Sequence, residues 1–267
     1  MAKNNSSSFD EIEQTALLAT QLAQLCTNAD YADVTFIVEN NRIPAHRVIL
    51  ATRSEYFRAL LYGGLKESKQ SEIRLDVPVK AFEHLIKYIY TGSMSLKQMS
   101  DSEIIETLGL AHQYGFIDLQ KAIVGRLSKV ISIENVCLLF NIAQLFHLDH
   151  LLSASGAFMD ENATRIVSLE SFRGLSYDAL LTLLDRDTFD APEVDIFKAV
   201  HGWCCFNQAD QPKCKALYGK VRFTLIPQKD LFAVVRSANV LDSDRLLDII
   251  DEKAKIKNPT YRGLVSD

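Results

Sequence analysis

The sequence predicts an α+β protein in two parts: a short sheet flanked by helices over residues 10–130, and an all-helical part over residues 131–267. Three observations indicate this division. Residues 33–39 are β-branched and aromatic, as in a buried strand. Apolar residues recur at helical spacing through most of the remaining chain. Strand-like alternation is confined to the first part, and every apolar stripe after residue 130 has the helical period.

A β-hairpin is predicted at the start of the first part. Residues 33–39 form its first strand, Asn40-Asn41 favours a turn, and residues 42–45 extend again. From His46 onward the apolar period changes from two residues to the helical value, which predicts a helix directly after the hairpin.

A second short helix and a loop follow. Ser54 is a candidate N-cap for this helix, and Gly63-Gly64 is expected to end it. Residues 65–68 then place one large apolar side chain between polar ones, which predicts a loop with an exposed leucine.

The rest of the first part alternates one more strand with helices. Residues 72–77 have strand periodicity, and Pro78 begins a helix that Thr91-Gly92 ends. The spacing from Ser100 to Glu103 is that of a capping box, and a further helix is predicted over residues 117–130.

The second part carries four groups of apolar residues at helical spacing. Each group is too apolar to face water, so the helices are expected to pack around a common core. The groups are Val136, Leu139, Phe140 and Ala143; Leu148, Leu151, Leu152 and Phe158; Tyr177, Leu180, Leu181 and Leu184; and Ile196, Phe197, Val200 and Trp203.

Composition limits the class of protein. The net charge is −5 without a basic run, so nucleic-acid binding has no electrostatic basis. No apolar run is long enough for a membrane span, and residues 1–9 are polar and expected to be disordered. The five cysteines are odd in number and irregularly spaced, which favours a reducing compartment. A soluble cytoplasmic protein, with the nucleus as a further location, is the interpretation.

An amphipathic helix is predicted over residues 10–27. Its apolar residues include Ile12, Leu17 and Leu22, and a face of this kind must pack on something. Periodicity alone leaves two alternatives open: the face covers its own domain, or it belongs to an interface with a second subunit.

Four blocks in order resemble the BTB/POZ family. They are Asp33-Val34-Thr35-Phe36, Pro44 through Ala51, Ser54 through Leu61, and Tyr88-Ile89-Tyr90-Thr91-Gly92. The resemblance implies a homodimerising interaction module, and many members recruit a cullin-3 ubiquitin ligase. It places the face of the first helix in the dimer interface.

Four degenerate motifs in the second part resemble the BACK domain that follows BTB in many cullin-3 adaptors. They are Glu134 through Cys137, Phe158 through Ala163, Glu170 through Ser176, and Val200 through Trp203. Where kelch-type adaptors usually have Ser-Glu, this chain has Pro192-Glu193. Family members continue into further β-domains, so the resemblance implies that the substrate-recognition domain is missing from this chain.

The resemblance also assigns a cullin-binding site. Leu65-Lys66-Glu67 matches the family's hydrophobic-x-Glu motif, with Tyr62 and Tyr88 flanking the same surface. Together with the first helices after the BTB domain, this loop would bind cullin-3. Without the resemblance an alternative stays open, in which Leu65 folds back on the domain and Glu67 is an ordinary solvated charge.

Asp33 and Arg47 occupy the positions where the family holds a charged pair near the dimer pocket. Because an isolated buried charge is expensive, the two side chains are expected to neutralise each other in a structural role.

No enzyme or cofactor is predicted. Gly63-Gly64 lacks a phosphate-binding continuation, and His201, Cys204, Cys205 and Cys214 lack the paired spacing of a zinc site, so packing is favoured. The resulting interpretation is a non-enzymatic cullin-3 adaptor that forms a homodimer and takes an unknown protein substrate. The alternatives are a self-associating scaffold or corepressor platform without ligase binding, and an enzyme.

Overall fold

Residues 13–26 and 28–255 are described in the computed structural model, and they divide into two units between Ile123 and Val124. The described strands all belong to the first unit, whereas the described part of the second unit contains helices alone. The predicted α+β class is therefore confirmed. Residues 1–9, predicted to be disordered, lie outside the described residues.

In the first unit, helices surround a small sheet. Its elements are α1 (Thr15–Gln24), β1 (Val34–Val38), β2 (Asn41–Ala45), α2 (Arg47–Arg53), α3 (Glu55–Tyr62), a 3₁₀ helix (Lys66–Lys69), β3 (Glu72–Leu75), α4 (Val79–Thr91), a 3₁₀ helix (Leu96–Gln98), α5 (Asp101–Gln113) and α6 (Ile117–Leu127), which contains the division between the units. The helix predicted over 117–130 thus ends three residues early, and α1 is shorter than the predicted 10–27.

The three strands lie in the order β2-β1-β3. The hairpin of β1 and β2 is antiparallel, with Val38 opposite Asn41, while β3 pairs parallel to β1. This register leaves Glu39 and Asn40 as the connection, so the predicted turn at Asn40-Asn41 is wrong by one residue. Glu39 takes a positive φ of 53°, which reverses the chain one position earlier than the asparagine pair indicated.

Phe36 lies at the centre of the first core. Its ring centroid is 5.9 Å from that of Phe57 on α3 and 5.3 Å from that of Phe82 on α4, so two helices pack on one β1 side chain. The predicted helix ends are confirmed: Ser54 accepts a hydrogen bond from the Phe57 N–H, and Ser100 and Glu103 form a reciprocal capping box.

Tyr90 and His46 form a buried polar cluster behind the hairpin. The Tyr90 hydroxyl accepts from the backbone N–H of His46 at 2.9 Å and lies 2.8 Å from its Nδ1. The Nε2 atom of His46 lies 2.8 Å from the Asp30 carbonyl. The Nε2–H tautomer of His46 satisfies all three contacts, since the Tyr90 hydroxyl then donates to Nδ1.

Burial raises the pKa of Tyr90 from 10.0 to about 12. The unfolded chain therefore ionises this phenol first, and the stability it contributes below pH 10 is lost as the pH rises toward 12. We expect the free energy of unfolding, followed by urea titration, to fall by up to about 2 kcal/mol over that interval from this group. Tyr90→Phe should have a flatter profile, and a mutant with the wild-type slope would contradict the assignment.

The second unit consists of helices, many of which contribute to a large hydrophobic core. Its elements are α7 (Val136–Leu145), α8 (Asp149–Glu161), α9 (Ala163–Ile166), a 3₁₀ helix (Glu170–Gly174), α10 (Tyr177–Leu184), α11 (Glu193–Phe206), α12 (Gln211–Tyr218), a 3₁₀ helix (Phe223–Leu225), α13 (Gln228–Asp230), a π-helical turn (Leu231–Val235), a 3₁₀ helix (Arg236–Ala238) and α14 (Ser243–Lys255). All four predicted apolar groups contribute to or pack against this core or are buried elsewhere. Residues within it include Val136, Phe140, Leu180, Leu184, Ile196, Phe197, Val200 and Trp203, and Leu152, Phe158, Tyr177 and Leu181 pack against it. The remaining members, Leu139, Ala143, Leu148 and Leu151, are buried outside it.

Polar residues of the sequence motifs join the second unit together. The Asp160 carboxylate accepts from Arg186 Nε at 3.0 Å and Nη2 at 2.5 Å, and the buried Glu193 carboxylate accepts from the Arg222 N–H at 2.7 Å. The indole N–H of Trp203 donates to the Leu175 carbonyl at 2.7 Å. Motifs that are distant in sequence are thus contacting partners in the fold.

Candidate functional site

The candidate docking segment begins where two glycines end α3. A Cβ on Gly63 would clash with the Ala59 carbonyl oxygen, and Gly64 has a φ of 79°. The first position therefore excludes any side chain for lack of space, and the second favours glycine because of its backbone conformation. The chain is thereby turned sharply away from α3 and into Leu65.

The segment predicted as a loop is a 3₁₀ helix. The helix comprises Lys66–Lys69, and Leu65 is its N-cap residue. The Leu65 carbonyl accepts hydrogen bonds from both the N–H (3.0 Å) and the hydroxyl (2.6 Å) of Ser68. The Gln70 N–H donates to the Glu67 carbonyl at 3.1 Å. Leu65 to Gln70, called here the docking turn, is therefore an ordered element with its own hydrogen bonds.

The docking turn presents an apolar side chain and an acidic one. Leu65 is 53% exposed, so it does not fold back on the domain as one alternative held. Lys66 is exposed and Glu67 is half-buried. Among the residues that the structure describes, none forms an ion pair or side-chain hydrogen bond with the Glu67 carboxylate. A leucine anchor and a carboxylate are both available to a partner.

Arg47, at the start of α2, binds backbone carbonyls of the docking turn and of the end of α3. Its Nη1 donates to the carbonyls of Leu61 at 3.0 Å and Ser68 at 2.8 Å, and its Nη2 donates to the Gln70 carbonyl. Its Nε donates to the Asp33 carbonyl at 3.3 Å. One guanidinium thereby connects the start of β1, the end of α3 and the end of the docking turn.

The predicted ion pair between the Asp33 and Arg47 side chains is not formed, which corrects that prediction. Asp33 Oδ1 accepts from the backbone N–H of Arg47 at 2.8 Å, while the Arg47 guanidinium is occupied by carbonyl oxygens. Asp33 is exposed, so its charge needs no buried partner. The two residues do contact each other, but the carboxylate serves the start of α2. Whether they also border a dimer interface stays a prediction.

The two tyrosines predicted to flank the site lie in different surroundings. Tyr62 is the last residue of α3 and is more than half exposed, directly before the glycine pair. Tyr88 on α4 is half-buried, with its ring 6.0 Å from that of Phe116 and beneath the Arg53 guanidinium at 5.8 Å. The contacts described for Tyr88 thus join it to Arg53 and Phe116, not to the docking turn.

The predicted interface helix has an uncovered apolar face. None of the α1 residues is buried, and Leu17, Leu18 and Leu22 are 51%, 56% and 38% exposed. α1 packs against α4 of the same unit while these leucines remain partly exposed, so their place in a dimer interface stays a prediction. Leu18 was missed by sequence reasoning, although its spacing of four residues from Leu22 is the signal that could have found it. Ile12 lies outside the described residues.

The histidine and cysteines that suggested zinc form a packed cluster. His201 Nδ1 lies 2.8 Å from the Tyr218 hydroxyl, and Cys205 Sγ lies 3.9 Å from His201 Nε2. Burial raises the pKa of the Cys204 thiol to about 12, which disfavours the thiolate that metals bind. Within residues 13–26 and 28–255, no group of three or more His, Cys, Asp or Glu residues could hold a metal ion, and no helix is long and apolar enough to cross a membrane.

Two families match the two parts of the chain. Residues 22–131 match the family described as "BTB/POZ domain", and residues 136–236 match the family described as "BTB And C-terminal Kelch", or BACK. These matches confirm the predicted resemblance.

Curated relatives match between about three quarters and nearly all of the chain. BTB/POZ domain-containing protein 9 of Drosophila melanogaster is 46% identical over 245 residues, covering 92% of this chain and 34% of the relative. The human protein of that name is 40% identical over 259 residues, covering 96% of this chain and 42% of the relative. Human Kelch repeat and BTB domain-containing protein 2 is 28% identical over 197 residues, covering 73% and 31%.

The chain therefore spans about a third to two fifths of the length of these relatives. Residues 61–68 and Tyr261-Arg262-Gly263 already predict a particular likeness to BTB/POZ domain-containing protein 9, and the two relatives of that name confirm it. With a three-stranded BTB unit followed by a helical BACK unit, the chain belongs to the BTB-BACK family of protein-interaction proteins.

Proposed function

We propose that this chain is the BTB-BACK part of a substrate adaptor for a cullin-3 RING ubiquitin ligase, with the docking turn as a cullin-binding surface. The observation that carries the proposal is the half-exposed Leu65 on an ordered turn, two residues before a Glu67 carboxylate that has no partner in the described structure. BTB and BACK domains in this order are typical of cullin-3 adaptors.

The chemistry of the turn fits a protein partner. Burying one leucine against a partner contributes roughly 1.5–3 kcal/mol. A carboxylate without an internal partner can accept hydrogen bonds or pair with a cation supplied across the interface, which fixes orientation. An apolar anchor beside a single charge is typical of a protein interface rather than of a catalytic centre.

Calorimetric titration of this chain with the N-terminal region of cullin-3 tests the proposal. We expect saturable binding with one cullin molecule per chain. If no binding occurs at high micromolar concentrations while circular dichroism shows a folded helical protein, the adaptor proposal fails. A clean dimer without cullin binding would instead support the self-associating scaffold.

Self-association is the second part of the proposal. The uncovered leucines of α1 are an apolar surface that a second copy would bury, and a dimer would present two ligase arms to one substrate.

The five cysteines are free, which fits function in a reducing compartment such as the cytoplasm.

Leu17→Glu combined with Leu22→Glu should convert a dimer into a monomer. Burial of these half-exposed leucines would contribute about 2–4 kcal/mol to association, and a buried glutamate would add a desolvation cost. Light scattering over a range of concentrations measures the result. Gln21→Glu, an exposed polar position on the same helix, is the matched control. A double variant that stays dimeric would remove α1 from the interface.

A further inference from the structure

We infer that Arg47 is the positioning residue of the docking turn, and that its guanidinium holds Leu65 and Glu67 in the orientation that a partner binds. The inference rests on the proposed function, because it concerns the same surface. Arg47 touches neither Leu65 nor Glu67 through the hydrogen bonds described; it acts through the backbone on either side of them.

Three of the four carbonyls that Arg47 binds lie at the ends of two helices. Leu61 is in the last turn of α3, Ser68 is in the 3₁₀ helix, and Gln70 directly follows that helix. Carbonyl groups at helix C-termini lack intrahelical partners, and the helix dipole makes them favourable positions for a cation. A single positive charge therefore stabilises both ends of the segment that carries the anchor.

The geometry requires arginine rather than any cation. A guanidinium presents several N–H donors in a fixed plane, and here donors on three nitrogen atoms reach four carbonyls from residues 33, 61, 68 and 70. A lysine ammonium is a single point with a flexible stem, so it cannot reach all four at once. Asp33 adds rigidity, because its carboxylate binds the Arg47 backbone N–H at 2.8 Å.

Pre-organisation is the expected effect on binding. A turn that is already ordered loses little conformational freedom when a partner binds, whereas a mobile turn must be ordered at a cost to affinity. The glycine pair before the turn supplies no restraint of its own, since glycine is the most flexible residue in an unfolded segment. Restraint of Leu65 and Glu67 must come from contacts after the glycines, and Arg47 provides two of them, at Ser68 and Gln70.

The test uses Arg47→Lys in the full chain, with Arg42→Lys as the matched control. Arg42 lies on β2 and pairs with the exposed Glu72 of β3, so its replacement makes the same chemical change at a residue with no described contact to the docking turn. Hydrogen exchange of the amides of residues 65–70 is measured without any partner, and cullin-3 affinity is measured by calorimetry. We expect Arg47→Lys to speed exchange at least tenfold in that segment and to weaken binding about tenfold, with Arg42→Lys unchanged in both.

A combination with Leu65→Ala separates positioning from general stability. If Arg47 acts by placing Leu65, its replacement should cost less affinity once Leu65 has been truncated, so the two effects should be less than additive. A variant that is merely less stable would show additive losses and faster exchange throughout the first unit. Either of those results would overturn the inference.

The outcomes for the inference and for the proposed function are distinct. If the wild-type chain binds cullin-3 and Arg47→Lys binds equally tightly, only the positioning role is wrong. If hydrogen exchange of residues 65–70 is unchanged in Arg47→Lys, Arg47 does not restrain the docking turn and the inference is wrong. If the wild-type chain shows no binding, the proposed function fails and the positioning role fails with it.

Discussion

A chain carrying Leu65→Asp together with Glu67→Lys should bind the N-terminal region of cullin-3 at least several hundredfold more weakly than the wild type. Loss of a buried leucine costs roughly 1.5–3 kcal/mol. Reversing a charge that faces a partner group costs about 2–5 kcal/mol, much of it from the unpaired partner charge. Even the lower ends of these ranges sum to more than two orders of magnitude in the dissociation constant.

The fold should not change in this double variant. Leu65 is 53% exposed and the Glu67 carboxylate has no partner in the described structure, so neither side chain is needed by the domain. Substitutions at such positions usually change the free energy of unfolding by less than about 0.5 kcal/mol. Thermal unfolding of the double variant should therefore match the wild type, which makes any loss of affinity a property of the surface.

Asp76→Lys is the matched control for the charge change. Asp76 is exposed in the connection between β3 and α4, and its replacement alters the net charge by the same amount as Glu67→Lys. We expect this control to retain wild-type affinity. If the double variant also retains it, the docking turn has no part in cullin binding, whatever other surface the partner uses.

Local chemistry explains why much of the fold could be predicted. Ser54, the Ser100 and Glu103 capping box and the ending of α4 at Gly92 each depend on residues within one turn of one another. Such short-range patterns are readable from sequence. The hairpin turn was misplaced by one residue because a positive φ at Glu39, a residue with no special preference for it, decided the register.

The exposed residues of the candidate site could be predicted from the sequence, whereas the contacts that hold the docking turn in place could not. Leu65 and Glu67 follow from a motif, whereas the partners of Arg47 are backbone carbonyls 14, 21 and 23 residues away. A carbonyl carries no side-chain signature, so sequence reasoning paired Arg47 with the acidic residue it could see, Asp33. The correction changes the interpretation of Arg47 from charge neutralisation to restraint of the docking turn.

Trp203→Ala should be the most destabilising change in the second unit. The side chain is buried between helices, its ring lies 6.4 Å from that of Tyr177, and its N–H donates to the Leu175 carbonyl at 2.7 Å. Truncation of a buried tryptophan costs about 3–5 kcal/mol through lost burial and the remaining cavity. The orphaned Leu175 carbonyl adds about 1–3 kcal/mol if water does not reach it. A loss of this size approaches the whole stability of an ordinary domain.

Trp203→Phe separates the two contributions. Phenylalanine keeps an aromatic ring in the core but lacks the N–H, so this variant should lose chiefly the hydrogen bond and be destabilised by about half as much or less. The chain contains one tryptophan, so fluorescence of the wild type identifies which urea transition belongs to the second unit. The variants are then compared at that transition by circular dichroism. Equal losses in both variants would assign the cost to the hydrogen bond, whereas a loss below about 1 kcal/mol in Trp203→Ala would mean that the motif containing Trp203 does not hold the core together.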